Sequence, residues 1–248
     1  MAGVLGGNFL WVLDVASCGC VDKVISVAQD TGYGICAKFH DGDPADDAQY
    51  GFQRNFARLA ARCGPLGIPL VAWGYCYGDT YNNLHKEVAA AVLSLKSGAQ
   101  AYIIDAEAEW EVPGSAEWAR RFMSSILCAA PGAEIGVTTF WNLRWHPAFP
   151  ARALRGSGCA VAIPQVYYKT AQRATLDARR SMHAISTEDF RRAGYCAIYP
   201  AGELTANASD SRDFLDIVGA QPHSFWLLDG FQDSASLKSL SRYNRPQS

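Results

Sequence analysis

The chain has 248 residues, 49% of them hydrophobic and 19% charged, and a formal net charge of −2. This is the composition of a globular protein with a large core and not of a disordered chain. The near-neutral charge gives no electrostatic basis for binding nucleic acid or an anionic membrane, and no run of about 18 apolar residues is present to span a bilayer.

Short apolar runs alternate with stretches of helical spacing along the chain. Phe9–Ala16 predicts a first strand, followed by a helix near Val21–Thr31. Gly34–Phe39 is the second strand, and Asp47–Cys63 has helical spacing. Pro69–Tyr75 and Leu84–Lys96 form the third pair. Ala101–Glu107 and Ala116–Ala130 form the fourth, with Ser115 as the expected helix cap. Glu134–Phe140 is the fifth strand, before a short segment interrupted by proline. Ala160–Tyr167 is the sixth, with helical pieces through Arg192. Tyr195–Tyr199 is the seventh, ahead of a helix near Ser209–Val218 capped by Ser209. Ser224–Asp229 is the eighth, and Ala235–Arg242 closes the chain.

These runs are continuously apolar, as parallel strands buried on both faces require. Eight strand–helix units predict one α/β domain over residues 1–248, a closed (β/α)8 TIM barrel. An open doubly wound sheet is the alternative. No G-x-G-x-x-G or P-loop motif follows any strand, which weakens a nucleotide-binding version of it.

Eight cysteines (18, 20, 36, 63, 76, 128, 159 and 196) are scattered without a C-x-x-C pair. They are expected to be reduced, to hold no metal, and, at Cys36, Cys76, Cys159 and Cys196, to serve as small buried hydrophobes. No cofactor is expected. The N-terminus lacks the basic start of a secretory signal, so synthesis in a cytoplasm is expected, with release by lysis or carriage in a virion.

Barrel active sites lie at the C-terminal ends of the strands. Carboxylates and aromatics dominate the residues placed there. The sharpest pattern is Ile103-Ile104-Asp105-Ala106-Glu107. Residues two apart on a strand share a face, so Asp105 and Glu107 point the same way. Two close carboxylates raise each other's proton affinity, and one can act as a general acid while the other is ionised. A solvated acidic strand end is the plainer alternative.

Asp14 follows Trp-Val-Leu on strand one and either anchors a loop or adds a third carboxylate. Asp229 on strand eight is either a turn cap or a site residue. Lys38 either binds substrate or pairs with Asp14. Tyr75, Tyr77, Trp141, Gln165 and Tyr167 are the remaining substrate-binding candidates, because pyranose C–H faces stack on aromatic rings. Trp73, Trp110, Trp145 and Tyr168 are further aromatics at strand ends, about half of these rings being expected in packing. Glu109 and Glu111 are expected beyond the strand end, outside the chemistry.

Asp14 in Leu-Asp-Val-Ala-Ser, together with Ile-Asp-Ala-Glu on strand four, resembles family 25 glycoside hydrolases, the Chalaropsis-type lysozymes. The resemblance implies a TIM-barrel muramidase acting on peptidoglycan, in a phage or actinobacterial setting. It implies Glu107 as general acid, Asp105 and Asp14 as supports for an intermediate or the substrate N-acetyl group, and Asp229 as the late acidic residue. Chitinase-like barrels of family 18 also end strand four in Asp-x-Glu, after a longer acidic run that is absent here. The alternatives are a non-catalytic carbohydrate-binding or virion barrel, and an aldolase or lyase using Lys38 or Lys169 as a Schiff-base lysine.

Overall fold

The structure is a computed structural model and describes residues 3–43, 51–80, 83–168, 171–172, 175–203, 208–226 and 240. The strands are β1 (Phe9–Val12), β2 (Gly34–Asp41), β3 (Leu70–Cys76), β4 (Ala101–Ala106), β5 (Glu134–Phe140), β6 (Val161–Gln165), β7 (Ala197–Ile198), β8 (Ala201–Glu203) and β9 (Ser224–Trp226). All pairings are parallel, and β1 pairs with both β2 and β9, which closes the sheet. Strand β6 pairs with β7 at Val161–Ala197 and with β8 at Gln165–Ala201. Segments β7 and β8 are therefore two halves of one stave, broken around Pro200, and the barrel has eight staves. The proline has no N–H to give to the ladder, so a break there is the expected result.

The helices are α1 (Val21–Thr31), α2 (Phe52–Leu66), α3 (Leu84–Lys96), α4 (Ser115–Ala129), α5 (Ala151–Gly156), α6 (Leu176–Arg192) and α7 (Ala208–Val218). The eighth expected helix, Ala235–Arg242, lies outside the described residues apart from Leu240. Two capping expectations are corrected. Ser115 is the first helical residue behind Gly114 and makes no cap, and Ser209 lies inside a helix that begins at Ala208. A side-chain cap is instead made by Thr175, whose hydroxyl accepts from Ala178 N at 3.2 Å. Among the described residues no helix is long and apolar enough to cross a membrane.

Strand alternation divides the core in two. One cluster, with Leu10, Val12, Ile35, Tyr102 and Ile104, fills the layer between staves and helices. The other fills the barrel and includes Phe9, Trp11, Cys36, Val71, Trp73, Ile103 and Ile163. Each large apolar side chain removed from water contributes about 1.5–3 kcal/mol. Because the barrel interior is packed, function is confined to its mouth. Cys196 is exposed, unlike the buried Cys36, Cys76 and Cys159. The short β7 starts only at Ala197, so Cys196 precedes the stave that was expected to bury it.

One irregularity re-aims a strand end. Lys38 pairs with Trp73 and His40 with Gly74, so the register shifts between Lys38 and His40. Phe39 then packs on Phe56 of α2, and His40 also faces the outer layer, where it meets Tyr102. A bulge of this kind inserts one residue and reverses the parity that follows. Asp41, paired with Tyr75, is thereby turned into the barrel.

Candidate active site

Asp105 is the last inward-facing residue of β4 and is 3% exposed. Glu107 follows the strand and opens the short turn Ala108–Trp110. The two carboxylates converge on one group from β6. The amide nitrogen of Gln165 lies 2.8 Å from Glu107 Oε1 and 3.3 Å from Asp105 Oδ1. An amide nitrogen carries two protons, one for each carboxylate. The shared orientation expected of Asp105 and Glu107 is therefore present.

Burial pushes the Asp105 carboxyl well above the ordinary carboxylate range. The negative charge of Glu107 raises it further, Lys38 opposes the rise, and Asp41 and Glu109 add to it. The neutral, protonated form of Asp105 is thus favoured.

Lys38 is buried on β2 with its ammonium 4.9 Å from the Trp73 ring centroid. Its ion partner is Asp41 at 2.5 Å, which replaces the expected pairing with Asp14. Asp41 also accepts from Tyr77 Oη at 3.1 Å, and the Tyr75 and Tyr77 rings meet edge to face at 5.0 Å. Tyr75 Oη donates to Glu109 at 3.0 Å. Burial and the nearby Glu107 and Glu109 charges keep the Tyr75 phenol protonated. Tyr167, beyond β6, is held neutral by burial and then by the charges of Asp105, Glu107 and Glu203.

Glu109 and Asp41 thus belong to the electrostatic surroundings of the pair. Glu109 was expected outside because it lies past the strand, but the turn Ala108–Trp110 folds it back toward Tyr75. Glu111 does lie further out, where it binds His146 Nδ1 at 2.7 Å. Glu203, the inward end of β8, has a buried Oε2 without a hydrogen-bond partner among the described residues. Its parity with Ala201 was legible in the sequence, but the break at Pro200 hid the stave.

Asp14 is not brought onto the pair by any of these contacts. Its carboxylate accepts from Ala16 N at 2.9 Å and Ser17 Oγ at 3.0 Å, which fixes the turn after β1. Asp229 and Lys169 lie outside the described residues. Trp11, Trp73 and Trp226 form the floor of the mouth, with ring centroids 5.0–5.6 Å apart. Trp110 and Tyr168 are packing residues: the first donates to Cys76 O at 2.7 Å, and the second lies under Arg179 at 4.8 Å.

Two buried groups brace the mouth from behind. Glu87 of α3 accepts from Tyr77 N at 2.7 Å and Gly78 N at 3.1 Å, anchoring the loop after β3. Burial raises its carboxyl to about 8. His40 is pushed down to about 4 by burial. Its Nδ1 faces Gly42 O at 3.2 Å, and that carbonyl can only accept, so the proton sits on Nδ1. Its Nε2 then accepts from Tyr102 Oη at 2.7 Å.

An open cleft of about 240 Å³ is lined by Trp141, Asn142, Trp145, Gln165 and Tyr167, and Gln165 is its link to the two carboxylates. A larger hollow of about 920 Å³ lies outside the barrel near Arg144, Pro147 and Asp189. Its lining includes neither the carboxylates nor Gln165, which bonds both of them, so size does not make it the site. Among the described residues no group of three or more His, Cys, Asp or Glu is arranged to hold a metal ion.

No protein-family model matches the sequence, and no curated protein is significantly similar to it. Solved structures do resemble the fold. The catalytic domain of a chitinase from Pyrococcus furiosus is similar over 96% of this chain and 97% of its own, with a TM-score of 0.69 at 9% identity. A chitinase from Chromobacterium violaceum is similar over 96% and 98%, with a TM-score of 0.68 at 12% identity. A deoxyribose phosphate aldolase from Aeropyrum pernix is similar over 96% and 92%, with a TM-score of 0.56 at 14% identity. At such identities the likeness establishes the (β/α)8 barrel and leaves the chemistry to the residues of this chain.

Proposed function

We propose that this protein is a glycoside hydrolase that cleaves an amino-sugar polymer, with peptidoglycan as the first candidate. The observation that carries the reading is the pair Asp105 and Glu107 on the single amide of Gln165 at the barrel mouth. Glu107 is the outer of the two and only partly buried, so it is placed to protonate a leaving glycosidic oxygen. Asp105 lies beneath it and favours the neutral form. Its proton is available to hydrogen-bond with Glu107 or with a substrate N-acetyl group.

The two distances to one nitrogen, 2.8 and 3.3 Å, cap the separation of the bonded oxygens at their total. That is shorter than the roughly 6.5–9.5 Å used by inverting enzymes, which hold a water between their carboxylates. With Glu107 as proton donor and Asp105 neutral, the geometry supports a retaining course in which the substrate's own N-acetyl oxygen attacks the sugar carbon. The likeness to chitinase barrels is in keeping with this reading, and the acidic, aromatic mouth suits sugars.

Schiff-base chemistry at Lys38 is the other reading. It is supported by the buried ammonium inside the mouth and by the aldolase barrels among the structural neighbours. An imine-forming lysine must present a free amine, and here Nζ is committed to Asp41 at 2.5 Å. The test uses the purified protein on peptidoglycan and on chitin-type oligosaccharides, with reducing ends and bound ligand both measured. Release of reducing ends supports hydrolysis. Binding without release favours a carbohydrate-binding barrel, and borohydride trapping of a carbonyl substrate on Lys38 favours the aldolase reading.

A further inference from the structure

Trp145 is 66% exposed at the rim of the barrel. A single exposed ring is ordinary on a protein surface. The way this one is held is not. It ends the short turn Leu143–Trp145 after β5, and both of its chain neighbours are pinned. Before it, Arg144 grips the buried Asp189 of α6 through Nε at 2.9 Å and Nη2 at 2.7 Å, and its backbone N–H adds a bond of 3.0 Å. After it, His146 lies flat on Phe140, with centroids 3.6 Å apart at 7°, and its Nδ1 is 2.7 Å from Glu111.

The indole also stands edge-on to Trp141 at 5.6 Å. These two rings line the same cleft as Gln165 and Tyr167, and Gln165 is the residue that joins Asp105 and Glu107. The aromatic rim and the carboxylates are therefore joined through Gln165. A pyranose ring has an apolar C–H face and a polar edge. An indole plane takes the first, and the side chains of Asn142 and Gln165 offer hydrogen bonds to the second. Because the turn is fixed before binding, little conformational freedom remains to be lost.

We propose that Trp145 and Trp141 form a stacking subsite for a second sugar ring, so that the bound glycan runs from the carboxylates across the rim between β5 and β6. The inference rests on the glycosidase reading for its ligand class but not for turnover. Its test is the binding of hexasaccharides, of chitin type and of peptidoglycan glycan type, to Glu107→Gln protein, with and without Trp145→Ala or Trp145→Phe. The expected result is affinity about tenfold weaker with Trp145→Ala and a smaller loss with Trp145→Phe, at unchanged melting temperature. Ligand should also change the tryptophan fluorescence, and part of that change should vanish with Trp145→Phe.

Hexasaccharide affinity within about twofold in Trp145→Ala overturns the subsite. So does a parent protein that binds neither glycan, which would take the glycosidase reading with it. Trp145-dependent binding by a protein that cleaves nothing leaves the subsite standing and removes only the claim of hydrolysis.

Discussion

Gln165 donates to Glu107 at 2.8 Å, and the same nitrogen reaches Asp105 at 3.3 Å. A single neutral side chain on β6 thereby sets the spacing of two acids on and just after β4. Gln165→Leu removes both bonds at similar volume. We expect turnover to fall about tenfold or more, since hydrogen bonds to charged groups are worth about 1.5–3 kcal/mol. Turnover within about twofold of the parent would mean that Gln165 does not position the pair.

Asp105→Asn should slow turnover and stabilise the fold. Burial raises the Asp105 carboxyl in the folded state above its unfolded value. The folded protein then binds the proton more tightly, so the residue costs stability as pH rises above the ordinary carboxylate range. Asparagine has no charge to bury. Melting at pH 8 should show a higher temperature for the variant, with a smaller difference at pH 4. Such an exchange of stability for activity is common at functional sites.

Stability should peak near neutrality. Below that, His40 and His183 titrate: burial pushes both down to about 4 from an ordinary 6.5. The unfolded chain binds their protons first, so stability rises with pH between those values. Glu87 acts in the opposite sense over an overlapping window and prevails above 6.5, because its carboxyl is raised from 4.5 to about 8. The folded state holds that proton longer, and stability declines as pH climbs through this range. Glu87→Gln should flatten the decline of the melting temperature between 6.5 and about 8 and steepen its rise below 6.5, where Glu87 opposes the histidines. An unaltered alkaline slope would contradict the assignment.

Gly74 is required by a close approach. A Cβ there would lie 2.0 Å from His40 Nε2, and His40 is locked between Tyr102 and Gly42. Gly74→Ala should therefore disturb the bulge that aims Asp41 inward. Overpacking of this kind costs about 1–3 kcal/mol, which calorimetry would register. A neutral substitution would mean that the His40 ring moves freely.

The barrel was legible because strands buried on both faces read as continuous apolar runs, and α1, α3 and β5 fall at their expected limits. The Asp105–Glu107 pair was legible because strand parity is local. Asp41 falls just past the apolar run Gly34–Phe39, and its inward aim depends on a register shift against β3, which no local pattern carries. Glu87 lies on the Leu84–Lys96 helix, where no local pattern marks it; its partners are backbone N–H groups of the preceding loop. Asp14 had an apolar approach like that of Asp105, yet β1 ends at Val12 and leaves it in a turn.

The most direct test of the central claim is the turnover of Glu107→Gln on the polymer that the unmodified protein cleaves, with binding measured in parallel. Glutamine keeps the shape and a hydrogen bond but cannot deliver a proton to the leaving oxygen. The account predicts a rate lower by about 10²–10⁴ with binding largely retained. Near-normal turnover in Glu107→Gln would contradict it.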